Sequence, residues 1–240
     1  SLGEYKLPTP TLFPQKILLT NYVEAFNQAN LGRLFLNTLY VGLVSTILSL
    51  VITVLSAFAF ARLEFKGKNA LFAALLATMM IPGELFTITN YVTVNQFGWM
   101  NTYTVLIVPF LVSVFYIYLL RQNFLQIPNE LYLAAKVDGT SKFRTFMRIT
   151  LPMISPMIFY LFITGCIGAF KAYSDAVALF GTDLNAAEMN TIVGYVYDML
   201  YGNSGGYPSY ASAAAIILFT IVLTITCINL LVSRKHVHYV

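Results

Sequence analysis

The feature that most constrains this chain is a series of long apolar blocks that lack charged side chains. A helix needs about 20 apolar residues to cross the hydrocarbon core of a bilayer. Hydrophobic residues fill 58% of the 240 positions and charged residues 10%, against about 25% charged in soluble domains, which excludes an ordinary water-soluble globule. The sequence predicts an all-α polytopic membrane protein with five transmembrane helices, over 34–61, 70–91, 104–120, 149–170 and 211–232.

Two of the five blocks are less regular than the others. Pro82 interrupts the second block next to Gly83 and Glu84, and Pro109 lies inside the third. Membrane helices tolerate proline where neighbouring helices satisfy the freed carbonyl, so we expect kinks at these positions. The third block is short, and we expect its helix to continue through Arg121 while that side chain snorkels to the interface.

The connections between the blocks differ in charge. One set, formed by the loops around 62–68 and 121–148 and the tail from 234, holds ten Lys and Arg against three acids, and the opposite set holds four against seven. Because Lys and Arg are retained on the cytoplasmic side, the carboxyl terminus is expected in the cytoplasm and the amino terminus outside. Spread over three segments, the basic residues indicate membrane orientation and not a nucleic-acid partner.

This orientation divides the chain into three regions. An extracytoplasmic segment over 1–33 precedes a transmembrane domain over 34–233, and a cytoplasmic tail covers 234–240. Within the transmembrane domain, 121–148 is expected to form a cytoplasmic loop and 174–209 an extracytoplasmic loop.

The first part of the cytoplasmic loop is predicted to be a short helix. Pro128 suits its first position, where a missing N–H costs nothing. Leu131, Ala134 and Ala135 then form a narrow apolar stripe on which the small side chains allow another surface to approach. Gly139 ends the helix, since glycine adopts the left-handed conformation without steric cost.

A second helix is predicted after this turn. Thr140 or Ser141 can cap it, and its apolar face consists of Phe143, Phe146 and Met147. Pro152 then opens the fourth span. The loop is therefore predicted to be a helix, a turn and a helix, which by pattern alone is also compatible with an amphipathic hairpin lying on the membrane surface.

The same loop resembles that of the permeases of binding-protein-dependent ABC importers, whose signature is Glu-Ala-Ala, three residues, Gly, nine residues and Ile-x-Leu-Pro. Leu133 stands where the family has Glu, and Glu130, one turn earlier, is the candidate substitute. The resemblance implies a coupling helix that docks in a groove of an ATPase subunit. The matching positions of this chain are Ala134, Ala135, Gly139, Ile149, Leu151 and Pro152. The residues expected to act in coupling are these six together with Glu130, Leu131, Leu133 and Asp138.

The resemblance covers the chain from about Leu31 to its end. It is nearest to the second permease of maltose-type carbohydrate importers, on the basis of short sequence motifs at 80–84, 101–102 and 126–131. It implies a bacterial inner-membrane permease that translocates a sugar, expected to be an oligosaccharide, delivered by an extracytoplasmic solute-binding protein. The implied partners are ABC ATPase subunits, which carry ATP and Mg, and a second, non-identical permease. Because the family has six spans, the first is expected upstream of Ser1.

A sugar path needs aromatic surfaces for the ring faces and polar groups for the hydroxyls. Ionisable groups near a span often face a water-filled cavity, although Glu84 and Lys171 are equally compatible with snorkelling to the outer interface. Single aromatic residues are more often lipid-facing or core. The candidates for the path are Glu84, Asn90, Tyr91, Tyr116, Tyr118, Tyr160, Lys171, Tyr173 and Asp175.

Other activities are less compatible with the sequence. Gly139-Thr140-Ser141-Lys142 does not match a phosphate-binding loop, so no ATPase and no cofactor are expected on this chain. Neither a catalytic centre nor a metal site is expected, because the only histidines lie near the carboxyl end without ligand-spaced partners. A permease for an amino acid or phosphate shares the loop signature and remains an alternative. An ion-coupled secondary transporter is less favoured, since the middles of the spans lack Asp and Glu.

Overall fold

The computed structural model describes residues 18–28, 30–100, 102–171, 190–202 and 206–236. Within those ranges the regular elements are helices and there is no strand, which confirms the all-α fold for that part of the chain. In chain order they are α1 (Thr20–Gln28), α2 (Leu31–Arg62), α3 (Lys68–Thr78), α4 (Phe86–Gln96), α5 (Tyr103–Ile107), α6 (Val114–Gln126), α7 (Asn129–Val137), α8 (Lys142–Thr145), α9 (Leu151–Met153), α10 (Ser155–Lys171), α11 (Ile192–Tyr201) and α12 (Pro208–His236).

Two of these helices are each long and apolar enough to cross a membrane by themselves. They are α2, with 32 residues and a mean hydropathy of 2.3, and the Pro208–Leu231 part of α12, with 24 residues and a mean hydropathy of 2.5. Both agree with the first and last predicted spans to within a few residues. Their side chains are apolar on all sides, as expected where lipid replaces water.

Two further candidate spans are bent pairs of helices. Tyr103–Phe110 and Val114–Gln126 meet at 47°, and Lys142–Met153 and Ser155–Phe170 meet at 70°. If each pair is one span, the described residues contain up to four candidates by length and composition. The expected number of five therefore remains a prediction.

The block expected to form the second span is broken. Helix α3 ends at Thr78, a turn follows, and a short 3-10 helix at Gly83–Leu85 leads into α4. Pro82 lies in this break, where it has no N–H to continue a helical ladder. The interruption is thus larger than the kink that the sequence predicts.

The start of the fourth span also differs from the prediction. Residues 149–153 continue the second loop helix, through a π-helical turn at Phe146–Thr150, and the long helix α10 begins only at Ser155. Pro156, at the second position of α10, cannot donate to the carbonyl four residues earlier, which accounts for a sharp bend at this point. Pro152 therefore precedes the bend, and does not open the long helix.

The chain divides into two compact units, and α2 and α10 contribute to both. The loop-bearing unit comprises 44–86, 107–166 and 226–240, and the amino-terminal unit comprises 1–43, 87–106 and 167–225. Each unit has its own apolar core. The core of the loop-bearing unit includes Phe60, Phe72, Leu120, Phe124 and Leu161, and that of the amino-terminal unit includes Leu31, Leu34, Ile192, Tyr195 and Ala214.

The two cysteines occupy different surroundings. Cys166 is buried, whereas Cys227 is exposed on the surface of this chain. Both cysteines lie within apolar blocks, which predicts core packing for each, and the structure supports this prediction only for Cys166.

Candidate coupling site

The predicted helix, turn and helix are present within residues 129–153. Helix α7 ends at Val137 and Gly139 follows its C-cap residue with φ +66°. The amide groups of Gly139 and Thr140 donate to the carbonyls of Lys136 and Ala135 at 3.1 and 2.9 Å. This pair of bonds is the Schellman arrangement that satisfies the last carbonyls of a helix. Ser141, one of the two predicted caps, then accepts a hydrogen bond from the amide of Arg144 at 3.4 Å.

The two alanines of the signature lie on opposite sides of α7. Ala134 is exposed, whereas Ala135 is 5% exposed and packs inside the loop-bearing unit. The expected stripe of Leu131, Ala134 and Ala135 is therefore divided, because Ala135 serves the fold of this chain. Only the Ala134 side of the helix can be approached by another protein.

Exposed apolar side chains cover the outer side of the loop. Leu133 is 61% exposed and Val137 87% exposed, and Phe143 of α8 is also exposed. With Ala134 these residues form a surface that we name the coupling face. An exposed apolar surface of this kind is typical of a site that contacts a partner.

The other side of the loop is attached to the body of the unit. The hydroxyl groups of Tyr132 and Thr150 are 3.0 Å apart, so the first loop helix is tied to the start of the segment that leads into α10. The ring of Phe146 packs edge-to-face on that of Phe58 in α2, with centroids 5.1 Å apart. The loop is therefore a supported element that can transmit a displacement to the long helices.

Arg62, the last residue of α2, makes the most extensive of these attachments. Its two terminal nitrogens donate to the Asn129 side chain at 2.7 Å and to the carbonyls of Phe124 and Ile127 at 2.5 and 2.6 Å. Its guanidinium carbon also lies 4.5 Å from the centroid of the Tyr132 ring. One cation thus joins the end of α2, the end of α6 and the first turn of α7.

Sequence reasoning assigned Arg62 only to the positive charge of the cytoplasmic side. Its acceptors are mostly backbone carbonyls more than sixty residues away in the chain, and carbonyls carry no residue-specific pattern. The available signal was the position of this arginine at the end of a long apolar helix. The free carbonyls at the end of a neighbouring helix attract a cation placed there.

The remaining predicted coupling residues are spread over both sides of the loop. Glu130 and Asp138 are exposed at the two ends of α7, and Leu131 is exposed at the edge of the coupling face. Ile149 and Leu151 are half-buried, and Pro152 is exposed. The signature residues after Gly139 therefore shape the junction with α10 and do not extend the coupling face.

The described residues do not test the predicted solute path. Within the loop-bearing unit no hydrogen bond or ring contact joins any two of Tyr116, Tyr118 and Tyr160, and Tyr118 stacks instead on Phe72 with centroids 6.5 Å apart. Asn90 and Tyr91 follow one another on α4. Tyr173 and Asp175 lie outside the described residues, as do the side chains of Glu84 and Lys171. These nine assignments remain predictions.

A buried polar cluster in the amino-terminal unit was not predicted. The Asn37 side chain donates to the carbonyl of Asn190 at 3.1 Å and accepts from the Tyr103 hydroxyl at 2.8 Å. The Thr38 hydroxyl accepts from the amide of Ile192 at 3.3 Å. These bonds attach the start of α11 and the start of α5 to α2, so the cluster stabilises the fold of this unit.

The model of a family described as binding-protein-dependent transport system inner membrane component matches residues 49–236. The chain is 29% identical over 236 residues to the diacetylchitobiose uptake system permease protein NgcG of Streptomyces coelicolor, a match that covers 95% of this chain and 75% of that protein. It is 33% identical over 193 residues to the sn-glycerol-3-phosphate transport system permease protein UgpE of Agrobacterium fabrum, with 78% and 67% covered.

A solved structure has a similar fold. A bacterial ABC transporter involved in the import of the acidic polysaccharide alginate contains a chain that superposes with a TM-score of 0.78 at 18% identity. The superposition covers 98% of this chain and 85% of that one.

Proposed function

The chain belongs to the family of binding-protein-dependent transport system inner membrane components, and from that premise we propose that it is the permease subunit of an ATP-driven importer of a sugar, specifically an oligosaccharide. The family match carries this proposal, since it includes the whole helix–turn–helix loop. Relatives named for diacetylchitobiose and arabinooligosaccharides support the substrate class.

A polyol phosphate is the second candidate substrate. It is favoured by the identity of 33% to a permease named for sn-glycerol 3-phosphate. Uptake by membrane vesicles that contain the complete transporter, measured with a labelled oligosaccharide and with labelled glycerol 3-phosphate, separates the two. Transport of neither, with transport of a labelled amino acid or inorganic phosphate, would contradict both.

In the proposed mechanism this chain supplies the membrane path and partner chains supply the energy. A solute-binding protein delivers the solute at the extracytoplasmic side, and ABC ATPase subunits hydrolyse Mg-ATP on the cytoplasmic side. A second, non-identical permease completes the path. The proposed topology has five spans in this chain, with the amino terminus outside, the 121–148 loop and the 234–240 tail in the cytoplasm and the 174–209 loop outside; it is supported by the distribution of Lys and Arg.

The coupling step follows from the two sides of α7. The coupling face contacts the ATPase subunit. Within this face, Leu133 provides an apolar contact at the position where the family has a carboxylate. The inner side, through Tyr132 and the Arg62 contacts, passes the movement to α2, α6 and α10. Because the loop is attached to three helices at once, a movement of the loop during ATP hydrolysis shifts these helices together. Their shift changes the side of the membrane to which the path is open.

The difference between Ala134 and Ala135 gives a direct test. Ala134→Cys and Ala135→Cys are made in a chain that carries Cys227→Ser, since Cys227 is the exposed native thiol. The complex is purified in mild detergent with its partners, which mass spectrometry identifies. A bifunctional thiol reagent is then expected to link position 134, and not position 135, to a nucleotide-binding subunit.

The neighbouring position is the matched control, because it differs in exposure and hardly in sequence location. Equal linkage from both positions would show that α7 does not present the side that the structure exposes. Absence of any nucleotide-binding subunit from the purified complex, together with linkage of position 134 to lipid reagents alone, would contradict the coupling role and favour the surface-hairpin alternative.

A further inference from the structure

A cavity of about 390 Å³ opens in the loop-bearing unit, between the connection from α2 to α3 and the last turns of α6. Its charged lining side chains are Glu64, Lys68 and Arg121, and Phe65 and Leu125 add apolar surface. Neither the coupling face nor the predicted solute path includes any of these five residues. The cavity is therefore separate from the sites described above.

Arg121 is held in a fixed orientation in this cavity. Its Nε donates to the carbonyl of Phe60 at 3.2 Å, and its guanidinium carbon lies 4.3 Å from the centroid of the Phe72 ring. Among the described residues, its two terminal nitrogens have no hydrogen-bond partner. A guanidinium that is positioned in this way presents a planar pair of donors, the geometry that binds two oxygens of a phosphate.

Lys68 contributes a second cation that its surroundings compensate only weakly. Its side chain is 14% exposed, and its ammonium lies 3.4 Å from the carboxylate of Glu64, which is 90% exposed. An exposed carboxylate contributes little to an ion pair because water screens it. The lining carries two positive charges and one negative charge. The cavity therefore keeps a net positive charge, which attracts an anion.

The surface beside the cavity includes several apolar side chains. Leu63, Phe65, Leu71 and Leu125 are all exposed large hydrophobic residues. A free anion gains nothing from such a surface, whereas a phospholipid combines a phosphate with acyl chains. Basic pockets between membrane helices on the cytoplasmic side are known to bind anionic headgroups.

We propose that this cavity binds the headgroup phosphate of an anionic phospholipid. Arg121 donates two hydrogen bonds to the phosphate oxygens, Lys68 contributes the second positive charge, and the acyl chains lie along Leu63, Leu71 and Leu125. Inorganic phosphate offers the same oxygen chemistry without the apolar part, and the experiment below separates the two. The proposal does not depend on the transported solute.

The complete transporter is reconstituted in phosphatidylcholine nanodiscs that contain a minor fraction of phosphatidylglycerol, and the lipids that remain bound after gentle release are measured by native mass spectrometry. Wild type is expected to retain phosphatidylglycerol in preference to phosphatidylcholine. Arg121→Gln and Lys68→Gln should each lower this retention about tenfold, the loss of one charge-assisted contact. Glu64→Gln should raise it, because the competing carboxylate is removed.

Lys66→Gln is the matched control, since it removes the same charge from the same connection but not from the cavity lining. Glu64→Gln controls for misfolding. Its side chain is exposed, and the expected increase in lipid retention cannot result from a misfolded protein. Equal losses in Lys66→Gln and Arg121→Gln would overturn the site in favour of diffuse attraction. Displacement of phosphatidylglycerol by inorganic phosphate at equal concentration would overturn the lipid assignment, and so would release of the lipid whenever the ATPase subunits are bound.

Discussion

The two compact units differ in the kind of polar contact that holds them. In the loop-bearing unit the principal contacts come from guanidinium groups, those of Arg62 and Arg121, which bond to backbone carbonyls and lie over aromatic rings. In the amino-terminal unit the buried contacts around Asn37 and Thr38 are between neutral groups, and the Tyr210 hydroxyl donates to the exposed carboxylate of Glu24 at 2.6 Å. Hydrogen bonds from a charged donor are about twice as strong as neutral ones.

This difference corresponds to different tasks. A guanidinium has five donors, so it can stay hydrogen-bonded to acceptors from several segments while those segments shift slightly. A neutral amide buried among apolar groups has only the partners around it, so it favours a single arrangement. We infer that the loop-bearing unit contains the movable junction of the permease and that the amino-terminal cluster fixes the attachment of α11.

The largest effect is expected from Arg62→Met, which tests the charged junction. Methionine keeps much of the length of the side chain but leaves Asn129 and the carbonyls of Phe124 and Ile127 without their donor. We expect the free energy of unfolding in detergent to fall by about 3 kcal/mol. Uptake per ATP hydrolysed should fall with it, since α2 is no longer tied to α7.

Two variants control this measurement. Arg144→Met removes an exposed arginine of α8 whose side chain makes no hydrogen bond or ring contact with the described residues, and it should leave stability unchanged. Arg62→Lys keeps the positive charge but cannot reproduce the fork of the guanidinium, and it should give an intermediate loss. If Arg62→Met and Arg144→Met behave alike, the junction is not where the structure places it.

A smaller effect is expected from Gly139→Val, which tests the turn of the coupling loop. The left-handed conformation at φ +66° costs about 1–2 kcal/mol for a residue with a side chain. The strain should displace α7 from α8 and lower uptake per ATP hydrolysed. The measurement is transport and ATPase activity in the same proteoliposomes.

Gly98 offers a control in the amino-terminal unit. Its φ is +67°, and at both glycines an added Cβ would meet no atom within 4 Å, so Gly98→Val introduces the same backbone strain without a clash. It should destabilise the protein as much as Gly139→Val while leaving the ratio of uptake to hydrolysis unchanged. A lowered ratio in both variants would mean that strain alone, wherever it lies, uncouples the transporter.

How far the sequence predicts this molecule depends on the range of the interactions. The helices α2 and α12 and the turn at Gly139 follow from local patterns: apolar length, and a glycine where a left-handed residue is needed. The break at Pro82 and the bend before Pro156 were underestimated or missed, because the same residue produces a kink or a break according to what packs beside it.

The site was predictable only in outline. The signature located α7, but which alanine faces outward depends on how α7 is attached to the unit, for example through Tyr132 and Thr150, which the helical stripe cannot reveal. The junction at Arg62 and the Asn37 cluster join segments that are 62 to 154 residues apart. Such contacts consist largely of backbone groups, which every residue carries, so a single sequence does not identify the partners of Arg62 or Asn37.

The smallest effect is expected from Tyr103→Phe, which tests the neutral cluster. The variant removes the hydroxyl that donates to Asn37 and keeps the ring, which packs edge-to-face on Tyr40 at a centroid distance of 5.2 Å. Hydrogen bonds between membrane helices contribute about 0.6 kcal/mol on average, and we expect a loss of that order in the free energy of unfolding.

Tyr118→Phe is the control, because the hydroxyl of Tyr118 bonds to none of the described residues, and it should cause no loss. Because the cluster is proposed to fix α11 and not to move, uptake per ATP hydrolysed should stay at the wild-type value in both variants. A lowered ratio in Tyr103→Phe alone would place the amino-terminal cluster within the coupling mechanism, and the division of tasks between the two units would then be wrong.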